Sequence, residues 1–186
     1  MSVLMDEDKK LLIKLARSAI ENKLDTGSKI DKPKETSPVL DEKRGCFVSL
    51  HKNGLLRGCI GVIENPPSLV SGVIDNALSA AFHDPRFSPL TKEELPDVDI
   101  EVSVLTVPKI LDFKDGEDLK RKLKPGVHGV ILSRGYNSAT FLPQVWNQFD
   151  DKEEFLEALC LKAGMERKCW MNKKTTVMIY EAEYFS

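Results

Sequence analysis

The 186-residue sequence has no long basic run and no long apolar run, and its charges nearly balance. It carries 27 basic and 29 acidic residues for a net charge of -2, so the basic surface typical of nucleic-acid-binding proteins is not indicated. No apolar run approaches the roughly 18 residues of a membrane span, and the N-terminus becomes charged too early for a signal peptide. We therefore expect no nucleic-acid partner, no membrane insertion and a cytoplasmic location.

Cysteine and the common site motifs are also scarce. The four cysteines form no C-x-x-C pair, which makes a structural zinc site improbable, and each is expected to be a reduced, small buried hydrophobe. The sequence contains no phosphate-binding loop, dinucleotide-binding fingerprint, zinc-peptidase motif, calcium loop or serine-hydrolase elbow. We therefore predict neither a metal nor a cofactor.

Hydrophobic spacing predicts an α+β fold. Helices are expected over 6–24, from Ser68 to just before Pro85, and over 91–95, 116–123 and 150–165. Alternating segments predict a strand over 99–108, a hairpin over 126–142 and a single closing strand over 175–185. Strands mixed irregularly with helices indicate a mainly antiparallel sheet with flanking helices, not a doubly wound sheet.

The stretch LLRGCIG forms the second half of another predicted hairpin, which turns at Asn53-Gly54. With these two residues as the loop, Val48 faces Cys59 and Leu50 faces Arg57. Arg57 and Cys59 then share one face of the sheet with Val48 and Leu50, while Gly58 and Ile60 lie on the other face. A bulge at Gly58 would alter this register.

Cys59 is the first candidate for chemistry. A neighbouring cation such as Arg57 would favour its thiolate. Catalysis would also need a base, and the only histidines are His51, His83 and His128. The alternative is a buried structural cysteine in a tightly packed sheet.

Three further stretches offer side chains for binding. In HDPRF, Asp84 and Arg86 are candidates for an anion clamp that binds a carboxylate or phosphate. The alternative is an ion pair within the protein, between Asp84 and either Arg86 or Arg57. In GVHG, His128 is either a ligand-binding group or a hydrogen-bonded histidine. In LPQVW, Gln144 and Trp146 are candidates for lining a cleft. The alternative for Trp146 is a packed core aromatic.

The segments LRGCIG, AAFHDPRFSPL, VSVLT, GVHGVIL, TFLPQVW and FLEALCLKAG occur in this order, and together they resemble the AMMECR domain family, especially its prokaryotic and archaeal members. The resemblance runs from about Asp6 to Phe185. It implies a single domain over residues 5–186, with a large lobe from the N- and C-terminal parts, a small lobe from the middle segment and a cleft between them. Residues 56–61 match the first motif fully, and Asp84, Arg86 and Phe87 match the second.

The resemblance brings no established reaction. It implies a pathway shared with a Memo-like protein and a radical-SAM protein, as in the AmmeMemoRadiSam system. Two hypotheses follow. The first is a module that binds a partner protein or a small ligand, such as an anion. The second is an enzyme with Cys59 as nucleophile or substrate-contacting thiol and with Arg57, Asp84 and Arg86 around an anionic substrate. The sequence does not indicate the oligomeric state.

Overall fold

The computed structural model describes residues 3–63, 65–172 and 174–186. Four α-helices are present among them: α1 (Asp6–Thr26), α2 (Leu69–Phe82), α3 (Gly116–Lys122) and α4 (Lys152–Lys162). The strands are β1 (Cys46–Lys52), β2 (Leu55–Val62), β3 (Val98–Leu105), β4 (Lys109–Ile110), β5 (Gly129–Arg134), β6 (Asn137–Phe141), β7 (Thr176–Tyr180) and β8 (Ala182–Phe185). The predicted α+β class is confirmed. Strand β1 pairs antiparallel with β2 and β3, β4 with β7, and β5 with β6 and β7.

The chain forms two compact units. The first runs to Leu105 and includes Glu183–Ser186, and the second spans Thr106–Ala182. One four-stranded sheet has the order β2-β1-β3-β8 and the other has the order β4-β7-β5-β6. The cleft implied by the family resemblance stays a prediction. No helix in the described part of the chain is both long enough and apolar enough to cross a membrane.

The core of the first unit lies between its sheet and the helices α1 and α2. Alternate residues of β1 and β3 pair across the strands, so Val48 lies opposite Val102 and Leu50 opposite Ile100. All four side chains are buried because both strands turn the same face towards the helices. The apolar stripe of α1 (Leu12, Leu15, Ala16, Ala19 and Ile20) completes this core, as its spacing predicts.

The register of the first hairpin differs from the predicted one. Leu50 pairs with Gly58 and His51 with Leu56, so Arg57 is the extra residue of a β-bulge. The bulge lies one residue before Gly58, and it shifts every later pair by one residue. Cys59 therefore lies opposite Ser49.

The predicted face of the thiol is wrong for the same reason. Gly58 and Ile60 lie opposite Leu50 and Val48, on the face that packs against the helices. Because side chains alternate along a strand, Cys59 belongs to the opposite face.

Two other elements differ from prediction. Residues 91–95 form no α-helix: a turn leads into a short 3-10 helix at Leu95–Asp97, where Pro96 withholds a backbone donor. The single strand expected over 175–185 is two strands, β7 and β8, which belong to different sheets.

The hairpin predicted over 126–142 is confirmed, with Gly135 in the left-handed region at its turn.

The second unit packs α3 and α4 with β5 and β7 around buried aromatic rings. Asp151 caps α4 by accepting hydrogen bonds from the backbone N–H groups of Glu153 and Glu154. Cys160 of α4 is disulfide-bonded to Cys169. The expectation of four reduced cysteines is therefore wrong: sequence spacing does not show that the end of α4 and the segment after it return to one place. Cys46 and Cys59 are free.

Candidate functional site

Close packing between β2 and α2 places LRGCIG beside DPRF. A Cβ atom at Gly58 would lie 2.2 Å from the backbone oxygen of Ala80, so only glycine allows α2 to approach the strand this closely. Helix α2 ends at Phe82, and Pro85 forces the following turn. That turn brings Asp84 and Arg86 to the outer edge of β2, level with Cys59.

The carboxylate of Asp84 is the most highly connected group in this region. It accepts hydrogen bonds from the backbone N–H of Cys59 at 2.9 Å and from the backbone N–H of Arg86 at 3.1 Å. Nε and Nη2 of Arg86 also donate to it, at 2.9 and 2.6 Å. The Arg86 guanidinium holds the pKa of Asp84 well below its usual range. Since the Asp84 side chain is only 2% exposed, the two residues form an internal ion pair.

Arg86 itself remains largely accessible. Its side chain is 55% exposed, although Nη2 also donates to the backbone oxygen of Cys59 at 3.3 Å. The guanidinium carbon lies 5.4 Å from the centre of the Phe87 ring, within the range of a cation–π contact. Asp84 and Phe87 therefore hold an exposed cation in one orientation.

Arg57 does not act on the Cys59 thiol as the sequence predicted. Its Nε and Nη2 donate to the two carboxylate oxygens of Glu94 at 3.2 and 3.0 Å, and Nη2 also donates to the backbone oxygen of Ser88 at 2.9 Å. The Arg57 side chain is 14% exposed. The bulge turns Arg57 towards the 88–94 segment, so its charge is committed to Glu94.

Glu94 is a residue that the sequence reasoning missed as part of this cluster. The Arg57 guanidinium is the main reason that its pKa is lowered to about 2, and Lys52 contributes a further contact at 3.3 Å. The S/T-x-x-E pattern at Thr91 suggested only a helix cap, and that cap is half formed: the Thr91 backbone N–H donates to Glu94 at 3.3 Å.

The Cys59 thiol is half-buried and accepts a hydrogen bond from the Ser49 hydroxyl at 3.2 Å. Burial raises the pKa of Cys59, and this effect exceeds the opposing effects of the Ser49 hydrogen bond and the Arg86 charge. Glu101 lies opposite Ser49 on β3, and its charge also favours the neutral thiol. Ser49 and Glu101 were missed because their placement depends on the register that the bulge alters.

His128 and Gln144 belong to the second unit. His128 is buried; its Nδ1 accepts a hydrogen bond from the Lys124 backbone N–H at 3.2 Å, and burial lowers its pKa. Gln144 is half-buried in the 3-10 helix Pro143–Gln148. Trp146 donates to the His128 backbone oxygen at 2.7 Å and stacks on Phe155 at 3.5 Å between ring centres, which confirms it as a packed aromatic.

The model of the AMMECR1 family matches residues 13–185, which include LRGCIG, the DPRF turn and the second unit. The chain belongs to the AMMECR1 family. The match spans nearly all of the described chain, as the resemblance in the sequence predicted.

Two archaeal relatives show how evenly this similarity extends. A protein of Methanothermobacter thermautotrophicus is 41% identical over 180 residues, covering 96% of this chain and 94% of its own. The crystal structure of the uncharacterised protein PH0010 from Pyrococcus horikoshii has a TM-score of 0.90 and 41% identity, covering 97% of this chain and 92% of that one. These relatives support the fold over its full length, and neither carries a named activity.

Proposed function

We propose that the protein is a non-covalent binding module that recognises an anionic group of a small ligand or a partner protein. Its recognition surface consists of Arg57, Asp84, Arg86 and Phe87, which we call the Arg86 platform. Cys59 contacts this surface only through its backbone N–H and backbone oxygen, so its thiol is not part of the platform. The observation that carries the proposal is the state of Arg86: its side chain is 55% exposed while the buried carboxylate of Asp84 holds it through two side-chain hydrogen bonds.

Such a cation loses little conformational entropy when it binds, because its rotamer is already fixed. Nε and Nη2 of Arg86 are used by Asp84 and Cys59, and among the described residues no hydrogen bond is made by Nη1. Arginine beside an aromatic ring is also a common composition at the energetically dominant positions of protein interfaces. An acceptor with negative charge, such as a carboxylate, fits this arrangement.

Family context suggests which partners to test first. The Memo-like and radical-SAM proteins implied by the family resemblance are the proposed protein partners. A small carboxylate is the proposed alternative occupant of the platform.

The experiment compares two arginines that share the same local arrangement. Arg86 and Arg121 are both exposed, and each binds a buried aspartate, Asp84 and Asp118. The variants R86Q and R121Q are titrated by calorimetry with the purified Memo-like and radical-SAM proteins, and with acetate, succinate and citrate. We expect R86Q to weaken the observed binding by roughly tenfold or more, as for an interface arginine, and R121Q to leave it unchanged.

R86K serves as a second variant, because it keeps a cation beside Asp84 while losing the two-pronged hydrogen bond. Thermal melts of all variants check that each chain is folded. The proposal fails if the wild-type chain binds none of the five probes, or if R86Q and R121Q bind as the wild type does.

The enzyme hypothesis has less support from the same geometry. A thiolate nucleophile would need a lowered pKa or an adjacent base, whereas the pKa of Cys59 is raised and its hydrogen-bond partner is the Ser49 hydroxyl. The cross-strand row of Cys59, Ser49 and Glu101 is the feature that an enzyme would use. C59S distinguishes the two hypotheses, since a binding module keeps its affinity in this variant.

A further inference from the structure

The disulfide between Cys160 and Cys169 lies in the second unit, away from the residues of the Arg86 platform in the sequence. Both cysteines are fully buried in an apolar cluster that includes Phe155, Leu159 and Trp170. It joins the last turn of α4 to the 3-10 helix Cys169–Met171, nine residues further on.

The segment after Cys169 depends on this attachment. The backbone oxygen of Cys169 accepts hydrogen bonds from the Asn172 backbone N–H at 3.0 Å and from the Thr175 hydroxyl at 2.7 Å. Thr175 in turn donates its backbone N–H to the oxygen of Asn172 at 2.9 Å. The hydrogen bonds of the described residues between Cys169 and β7 therefore lead back to the backbone of Cys169.

This segment forms one wall of an open groove with a volume of about 590 Å³. That wall is lined by Met171, Thr175, Thr176 and Val177, and the other wall is lined by residues 110–116. Trp170, next to the disulfide, packs against the second wall: a Cβ atom at Gly116 would lie 2.7 Å from its ring. The position of Cys169 thus determines the position of the segment that follows it and of the Trp170 ring, which packs against the second wall.

We propose that the Cys160–Cys169 disulfide is a redox-sensitive clip that holds the wall formed by residues 169–172 and 174–177 in place. Because both cysteines are fully buried, a dithiol reaches the S–S bond when the segment opens locally. Reduction then breaks the S–S bond, forms two thiols and converts the dithiol to its own disulfide, so electrons and protons balance. In the oxidised chain the clip restricts the unfolded ensemble and the local opening of the segment. In the reduced chain the wall is held only by its hydrogen bonds and by packing.

Thiol counting tests the first part of the proposal. The purified chain is transferred to buffer without reductant, denatured in iodoacetamide and weighed by intact mass spectrometry. We expect two alkylated cysteines, Cys46 and Cys59, and four after treatment with dithiothreitol. Four alkylated cysteines before reduction would overturn the proposal.

Hydrogen exchange on the wild-type chain tests the second part and needs no variant to fold. Dithiothreitol should raise amide exchange in residues 169–172 and 174–177 and at Gly116, and leave β1 and β3 unchanged. It should also lower Tm by roughly 5–10 °C, as expected for loss of a short disulfide loop in a chain of this size. The variant C160A/C169A controls for the reductant, because dithiothreitol should change neither its exchange nor its Tm. Equal exchange in the oxidised and reduced wild type would overturn the clip.

Discussion

The backbone N–H of Cys59 donates a hydrogen bond of 2.9 Å to the carboxylate of Asp84, and Arg86 donates one of 3.3 Å to the Cys59 backbone oxygen. Strand β2 is at the edge of its sheet, so these are the groups that a further strand would bind. At Cys59, the side chains of Asp84 and Arg86 thus make the backbone hydrogen bonds that a neighbouring strand would make. This relationship explains why LRGCIG and DPRF act as one structural unit.

Asp84→Asn should destabilise the chain by about 2–4 kcal/mol, because a buried carboxylate that accepts four hydrogen bonds is replaced by an amide that must direct donors at donors. Urea unfolding measures the change. Asp25→Asn is the control, since the Asp25–Lys92 pair is exposed and its loss should leave the stability nearly unchanged. Equal stability of the two variants would show that Asp84 does not hold the turn.

Gly58→Ala should destabilise the chain by about 1–3 kcal/mol, because its Cβ would lie 2.2 Å from the Ala80 backbone oxygen and α2 would have to move. The same urea titration reports it. The shift of α2 should also weaken the Asp84–Cys59 hydrogen bond, which faster exchange of the Cys59 amide would reveal. A Gly58→Ala chain with wild-type stability and exchange contradicts the proposed close packing.

Cys59 should react slowly with iodoacetamide at neutral pH, because burial raises its pKa and alkylation requires the thiolate. Ser49→Ala removes the hydrogen bond that opposes this shift, so it should slow the reaction further. The rate is followed by peptide mass spectrometry between pH 7 and 9.5. Cys46 is the internal reference, since burial raises its pKa to about 12 and it should stay unlabelled. Rapid labelling of Cys59 at pH 7 would instead favour the enzyme hypothesis.

Stability should fall as the pH drops below about 6.5, because burial lowers the pKa of His128 in the folded chain. The unfolded state then binds a proton more readily, and protonation also removes Nδ1 as acceptor for the Lys124 backbone N–H. His128→Gln should flatten this dependence between pH 8 and 5.5 in urea unfolding. Carboxylates such as Glu94, with a pKa of about 2, lose their contribution only at lower pH. Identical pH profiles for variant and wild type would contradict the prediction.

Much of the fold could be predicted from sequence because helices and hairpins have local signals. The apolar stripe of α1, the Asn53-Gly54 turn and the acidic first turn of α4 each indicate their element without reference to the rest of the chain. The division of 175–185 into β7 and β8 has no such signal. The alternation of apolar and polar residues is the same whether the segment pairs within one sheet or contributes to two.

The site was predicted less well because its geometry depends on one residue of register. The bulge at Arg57 moves Cys59 from Val48 to Ser49 and turns Arg57 towards Glu94. Neither change alters the hydrophobic pattern, so the sequence could not distinguish them. The proximity of Asp84 and Arg86 could be predicted, because only Pro85 lies between them. The disulfide could not be, because it depends on how the chain returns after α4.

The most direct test of the binding account is complementation of a strain that lacks this gene, read by metabolite profiling. The account predicts that C59S restores the wild-type profile and that R86Q does not, with R121Q restoring it as the matched control. Restoration by R86Q together with failure of C59S would contradict the account and assign the function to the thiol.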